Sequence, residues 1–281
     1  RDWLPPALMP ERRYAPYTAR DGLRIPAWLT LPRGAEAKNL PLIVHVHGGP
    51  WVRGYHGLPW GRRPTPLFLA SRGYAVLEPE PRGSAGFGEQ HYLRSMKQWG
   101  LSMQDDITDG ALHLVAQGIV DKSRMCLFGG SYGGYMTVAA LAFQPEEFKV
   151  GVDIFGVTNW LRTLESIPPY WESFREALYQ EIGNPATQRD FLVETSPLFH
   201  ADKITKPLMV LQGANDPRVI KAESDDIVAA VRKNGVPVEY VVFDDEGHGF
   251  SKKENQIEGY GKMLVFLDTY LKGDAAASAP R

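Results

Sequence analysis

The chain has few of the features that would place it quickly in a special class. It holds one cysteine, Cys126, in 281 residues, so no internal disulfide framework exists and the redox compartment stays open. That cysteine lies in the apolar run Met125-Cys126-Leu127-Phe128, where a buried small hydrophobe is the favoured reading over a nucleophilic thiol. No apolar stretch approaches the roughly 20 residues of a membrane span, and no secretory signal pattern is visible. The formal net charge is only -2, which leaves no basic footprint for nucleic acid or an anionic membrane. Neutral soluble substrates or protein partners fit better. Internal repeats and long low-complexity segments are also lacking.

What the chain does have is enough apolar residues, 43% against 23% charged, to build a substantial core. Its length is that of one large domain or two small ones. Residues 2–16 carry four prolines and read as an irregular leader. Residues 14–32 alternate around Asp21-Gly22, a hairpin signal. Short apolar runs at 41–47, 74–77, 124–128, 150–155, 208–212 and 238–243 read as strands. Helical patterns fall at 67–72, 102–117, 132–143, 221–233 and 258–271, the second with Ser102 as its cap. Strands alternating with helices predict a mostly parallel central sheet with helices on both faces. Residues 166–194 are aromatic and acidic with no strand pattern, and read as an insertion or lid. The expected division is a leader or linker over 1–13, a catalytic domain over 14–272 and a disordered tail over 273–281.

Phe128-Gly129-Gly130-Ser131-Tyr132-Gly133-Gly134-Tyr135 concentrates four glycines around one serine. With a strand before and a helix after, G-x-S-x-G is the pattern of a nucleophile elbow, a sharp turn that exposes the serine hydroxyl. Side chains at Gly129 and Gly133 would strike the neighbouring helix and strand. A serine needs a base to take its proton, and in this fold class the partners follow in the order acid, then histidine. Of seven histidines, His248 follows a predicted strand and sits between glycines; His45, His47, His56, His91, His113 and His200 lack that setting. Asp216, just past the run 208–212, is the natural acid to orient the imidazole. Asp244 and Asp245 are rivals that share the loop of His248. The Tyr132 amide and the loop His47-Gly48-Gly49-Pro50, with Gly49 as donor, are the expected oxyanion hole.

Together with the stretches Gly213-Ala214-Asn215-Asp216-Pro217-Arg218-Val219, Glu246-Gly247-His248-Gly249-Phe250 and Arg82-Gly83-Ser84-Ala85-Gly86-Phe87-Gly88, these motifs resemble the catalytic domain of the prolyl oligopeptidase family of serine peptidases. The resemblance runs from about residue 14 to 271 and looks nearest to the acylaminoacyl-peptidase and dipeptidyl-peptidase branches. It implies an α/β-hydrolase fold without a β-propeller, with Ser131, Asp216 and His248 as triad and Tyr132 and Gly49 as oxyanion donors. It further implies that Arg218 contacts a substrate carbonyl and that Val157, Trp160 and Val219 line the pocket for the residue before the scissile bond. For Trp160 an ordinary core aromatic is the competing reading. Thr163 and Ile167 stand where the dipeptidyl-peptidase pocket has aromatics, which weakens any strict proline preference. Glu80 and Pro81 depart from the family pattern. The family places a β-propeller before this domain; none occurs here, so the chain, which starts at Arg1, reads as an excised catalytic domain whose compartment, cytoplasm or periplasm, stays open.

Glycines 83–88 lack nucleotide-loop spacing, and Asp105, Asp106 and Asp109 read as helix N-terminal acids. No metal and no cofactor are expected. Glu165, Glu172, Glu176 and Glu181 in the insertion are candidates for a substrate ammonium, with a solvated helix face as the favoured reading. Short peptides are the expected substrates and self-association through an exposed apolar rim is a possible partner state. Small esters on a carboxylesterase, and a non-catalytic binding module on the same fold, are the alternatives.

Overall fold

A computed structural model describes residues 9–53 and 64–273. His56, the leader up to residue 8 and the tail from 274 fall outside them. The chain enters with β1 (Glu11–Tyr14), a small hairpin of β2 (Tyr17–Thr18) and β3 (Arg24–Ile25), then β4 (Ala27–Leu31). The hairpin turns at Gly22 with φ +86°, where the Asp21 carboxylate accepts from the Leu23 amide. The first departure from the sequence reading lies here. Part of the stretch read as irregular is β1, paired antiparallel to β4 with Tyr14 opposite Trp28. It is an edge strand whose side chains are mostly exposed, so it carries no apolar alternation to read.

The remaining strands are β5 (Leu40–Val46), β6 (Ala75–Pro79), β7 (Val120–Gly130), β8 (Val150–Ile154), β9 (Leu208–Gly213) and β10 (Val238–Phe243). The main sheet runs β1-β4-β6-β5-β7-β8-β9-β10, and the last six are parallel. Alternation sorts the strand residues onto two faces. Leu42, Val44, Met125, Leu127, Leu208 and Val210 enter one apolar core; Ile43, Cys126, Val150, Val152, Met209 and Leu211 enter the other. Cys126 is fully buried and burial pushes its thiol up, so it is a core residue.

The helices among the described residues are α1 (Thr65–Ser71), α2 (Glu89–Leu93), α3 (Ser102–Ala116), α4 (Tyr132–Phe143), α5 (Trp160–Glu165), α6 (Arg175–Glu181), α7 (Arg189–Glu194), α8 (Lys221–Lys233) and α9 (Lys253–Leu271). α3, α4 and α8 cover the first face through Ile107, Met136 and Ile227, while α1 and α9 cover the second through Leu69, Met263 and Leu267. Each such side chain removed from water contributes about 1.5–3 kcal/mol. Two helix ends differ from expectation. Ser102 is inside α3, and its hydroxyl donates to Gln98 Oε1 at 2.8 Å, so it is not the cap. α9 begins at Lys253, five residues earlier than its apolar spacing implies, because the Glu246 carboxylate accepts from the amides of Ser251 and Lys252 and satisfies donors at that helix end.

The acids of α3 hold ion pairs. Asp106, with no exposed surface, receives the Arg82 guanidinium at 2.8 and 2.7 Å and the Arg82 amide at 2.9 Å; Asp105 and Asp109 pair with Arg20 at 2.9 and 2.7 Å. The Arg-Gly-Ser stretch is thereby fastened to α3.

Candidate active site

Parallel strands deliver all their carboxyl ends to one edge of the sheet, and the order reverses where β5 lies between β6 and β7. Ligands in such sheets bind at that switch point. Val46 stands opposite Gly129, Gly130 opposite Ile154, and Phe243 opposite Gly213. The loops after β5, β7, β8, β9 and β10 therefore open onto a common rim.

Ser131 joins β7 to α4 with φ +58°, the left-handed region that a non-glycine side chain enters only at a cost of about 1–3 kcal/mol. Its amide donates to the Ile154 carbonyl at 2.9 Å and its carbonyl accepts from the Tyr135 amide at 2.9 Å. A Cβ on Gly129 would stand 2.5 Å from the backbone of Gly133, and one on Gly133 would stand 2.2 Å from the Val46 carbonyl oxygen. The glycines are what let strand, turn and helix approach this closely.

Asp216 lies past β9 with a fully buried carboxylate. Its Oδ1 accepts from the amides of Arg218 at 2.8 Å and Val219 at 3.0 Å, and its Oδ2 lies 2.7 Å from His248 Nδ1. A carboxylate accepts, so Nδ1 carries the proton and Nε2 is left with its lone pair. The loops of acid and histidine touch: a Cβ on Gly213 would stand 2.2 Å from the Gly247 carbonyl oxygen. The rivals go elsewhere, for Asp244 is exposed and Asp245 pairs with Lys252 in solvent.

Two residues that the sequence did not single out shape the surroundings of the imidazole: one packs on its ring and one anchors its loop. Phe155, at φ +42° beyond β8, packs its ring 4.5 Å from that of His248. Glu246 ties the histidine loop to the start of α9, and the Ser251 amide together with further donors holds its carboxyl down at about 2. No local pattern announces Phe155; two residues before His248, Glu246 was readable only as part of a motif.

Gly49 and Tyr132 both line a cavity of about 60 Å³ that Ser131 opens onto. Gly49 adopts φ +112°, and a Cβ there would stand 2.8 Å from the Trp51 amide nitrogen. Next to it, Gly48 packs so near the elbow that a Cβ would lie 3.4 Å from that of Ser131. His47 steadies this loop: its Nδ1 donates to the Gly48 carbonyl at 2.7 Å, while Nε2 lies 3.1 Å from Ser84 Oγ and 3.3 Å from Glu80. The unusual Glu80 is thus a buried partner of the histidine that opens the Gly48-Gly49-Pro50 loop.

Val157, Trp160, Arg218 and Val219 all line the same cavity. Trp160 is both pocket wall and core aromatic, packed edge-on against Tyr135 at 4.8 Å and Trp99 at 5.1 Å. The Arg218 guanidinium lies over the ring of Trp171, 5.5 Å from its centre. Beneath them Glu223, almost wholly buried, accepts from the amides of Thr158 and Asn159 and the hydroxyl of Thr158, which fixes the loop carrying Val157. The insertion forms the rest of the wall through Ile167, Trp171, Leu178 and Ile182. Among its acids, Glu165, Glu172 and Glu176 are exposed, in line with a solvated face; Glu181 is not, with 5% of its surface accessible.

The chain as a whole is similar to known proteins. Dipeptidyl aminopeptidase BIII of Pseudoxanthomonas mexicana is 45% identical over 266 residues, 92% of this chain and 38% of that protein. A puromycin-hydrolysing peptidase of Mycobacterium tuberculosis superposes with a TM-score of 0.88 at 29% identity, over 96% of this chain and 41% of that one. An acylaminoacyl peptidase in complex with Z-Gly-Gly-Phe-chloromethyl ketone gives 0.83 at 28%, over 94% and 42%. The chain thus spans about two fifths of the length of these relatives. The model of the prolyl oligopeptidase family matches residues 60–274, and the chain belongs to that family of α/β-hydrolase-fold serine peptidases.

Proposed function

We propose that this chain carries the catalytic unit of a serine peptidase that hydrolyses short peptides through an acyl-enzyme. The observation that carries the reading is the 2.7 Å contact of Asp216 with His248 Nδ1, with the other carboxylate oxygen held by two backbone amides. Ser131 Oγ attacks the scissile carbonyl carbon while His248 Nε2 takes the hydroxyl proton, and Asp216 stabilises the imidazolium that results. The amides of Tyr132 and Gly49 donate to the developing oxyanion; such a donor is worth about 3 kcal/mol. Collapse of the tetrahedral intermediate breaks the C–N bond and passes the proton to the leaving amine. Water then attacks the acyl carbonyl carbon while Nε2 takes its proton, and collapse of the second tetrahedral intermediate breaks the C–Oγ bond as Nε2 returns that proton to Ser131 Oγ, releasing the acid.

Arg218 is proposed to donate to a substrate carbonyl, and Val157, Trp160 and Val219 to hold the side chain before the scissile bond; their shared position around the Ser131 cavity supports this. The relatives' names, aminopeptidase, acylaminoacyl peptidase and puromycin-hydrolysing peptidase, support amide substrates. Their greater length supports an accompanying β-propeller domain as the partner that gates access by size.

The test compares a free-amine alanyl chromogenic amide, its N-acetylated analogue and a short-chain nitrophenyl ester, each against Ser131→Ala. Cleavage of either amide that is lost in Ser131→Ala is the expected result. Turnover of the ester alone would replace the peptidase reading with a carboxylesterase, and no Ser131-dependent turnover would leave a binding module.

A further inference from the structure

The elbow stretch holds two glycines beyond the pair that G-x-S-x-G requires. A Cβ on Gly134 would stand 2.2 Å from Oδ1 of Asp153, and one on Gly130 would stand 3.3 Å from the ring of Phe155. Both neighbours belong to one turn at the end of β8. There Asp153 Oδ1 accepts from the Gly156 amide at 2.8 Å, a side chain closing the turn that its own residue opens. A Cβ on Gly156 would stand 2.4 Å from the same oxygen. Inside the turn Phe155 is held at φ +42°, with its ring 4.5 Å from that of His248 and 5.6 Å from that of Phe250. A bulky residue keeps such a backbone only where its surroundings over-determine it.

The carboxyl that closes the turn is wholly buried, and its Oδ2 has no hydrogen-bond partner among the described residues. The charged group that faces it is another acid, Glu223 of α8, and the Tyr240 phenol of β10 also lies within reach of its charge. α4 and β9 carry no charged side chain, and β7 has none beside Gly129, which pairs with Asp153. A buried charge in this setting is costly. Burial, with Glu223 adding to it, therefore holds the carboxyl up at about 7 against the pull of the Gly156 amide.

We propose that Asp153 is a positioning residue for the base: its carboxyl fixes the turn over residues 153–156, the turn fixes Phe155, and Phe155 keeps the His248 imidazole seated. This rests on the reading of Ser131 and His248 as nucleophile and base. The neutral acid is the form that fits. Loss of its proton leaves a bare charge beside the elbow, which draws in water and loosens the turn.

The test follows the second-order rate at which a fluorophosphonate labels Ser131, a reaction that needs no peptide. At pH 6.5 Asp153→Ala should slow labelling roughly tenfold or more, and so should Phe155→Ala. Because both act through one contact, the double variant should be no slower than either. Asp153→Asn keeps the acceptor for Gly156 and stays neutral. It should label within about twofold of the parent at pH 6.5 and hold at least that rate to pH 9, where the parent has fallen roughly fivefold below it. Should Asp153→Ala fold poorly, the Asp153→Asn profile decides alone. An Asp153→Asn profile that falls with the parent's, a parent rate that stays level above pH 7, or losses that multiply in the double variant overturns the proposal. Failure of the Ser131 reading shows separately, as absence of labelling in the unaltered chain, and takes the proposal with it.

Discussion

His248 Nδ1 stands 2.7 Å from one carboxylate oxygen of Asp216, and the other oxygen is held by the amides of Arg218 and Val219. The acid is therefore fixed by backbone before it touches the imidazole. Asp216→Asn keeps an acceptor for those amides but inverts the hydrogen-bonding choice at Nδ1. The expected result is a fall in kcat on the order of 10⁴-fold with an unchanged melting temperature. Pre-steady-state and thermal measurements on the same preparation check it; a loss of fold in parallel would show that Asp216 is chiefly structural.

Gly49 offers a probe of the proposed oxyanion loop. Its φ of +112° and the 2.8 Å approach of a Cβ to the Trp51 amide nitrogen mean that Gly49→Ala must move the loop. A loss of about 10²–10³ in kcat with a KM within a few-fold is expected from steady-state kinetics. A variant that turns over at the original rate would remove Gly49 from the oxyanion hole.

The buried pair of Arg82 and Asp106 tests stability away from the chemistry. Asp106→Asn takes from the Arg82 guanidinium its buried bidentate partner and leaves it only the half-exposed Asp21 at 2.8 Å; removing one member of a buried pair costs up to about 3–5 kcal/mol. Urea unfolding should report that loss as a lower midpoint at constant slope.

Two carboxyls give opposite pH signatures. Asp153 is fully buried on β8, and burial raises it to about 7. Its protonated form favours the folded state, so its contribution is fully present below its unfolded value near 3.8 and is lost as pH rises to about 7. Asp153→Asn should gain on the parent chain across that window. Glu246 is held at about 2, so its contribution is present above 4.5 and is lost as pH falls toward 2. The melting-temperature gap between the parent and Glu246→Gln should close over that acid range. Parallel Tm curves against pH would contradict both assignments.

The elbow was legible because its chemistry is local: G-x-S-x-G, a preceding apolar run and a following helix lie within two dozen residues. The same holds for the parallel sheet, since short apolar runs and flanking glycines report backbone form directly. Edge strand β1 was not legible, because exposed side chains leave no alternation. Nor was the early start of α9, whose first turn depends on a carboxylate from the preceding loop.

Amino-acid order alone determined which residue types stand at strand ends and which can act as nucleophile, base and acid. Tertiary structure decided which of several similar residues meet. Asp216 reaches His248 while Asp244 and Asp245 do not, and Phe155 turns onto the imidazole through a positive φ. Of the four glutamates weighed for a substrate ammonium, Glu181 alone is buried, and its donors, Trp51 and Tyr92, lie 130 and 89 residues away in the chain. Burial and charge compensation depend on such distant neighbours, and only the folded sheet brings them together.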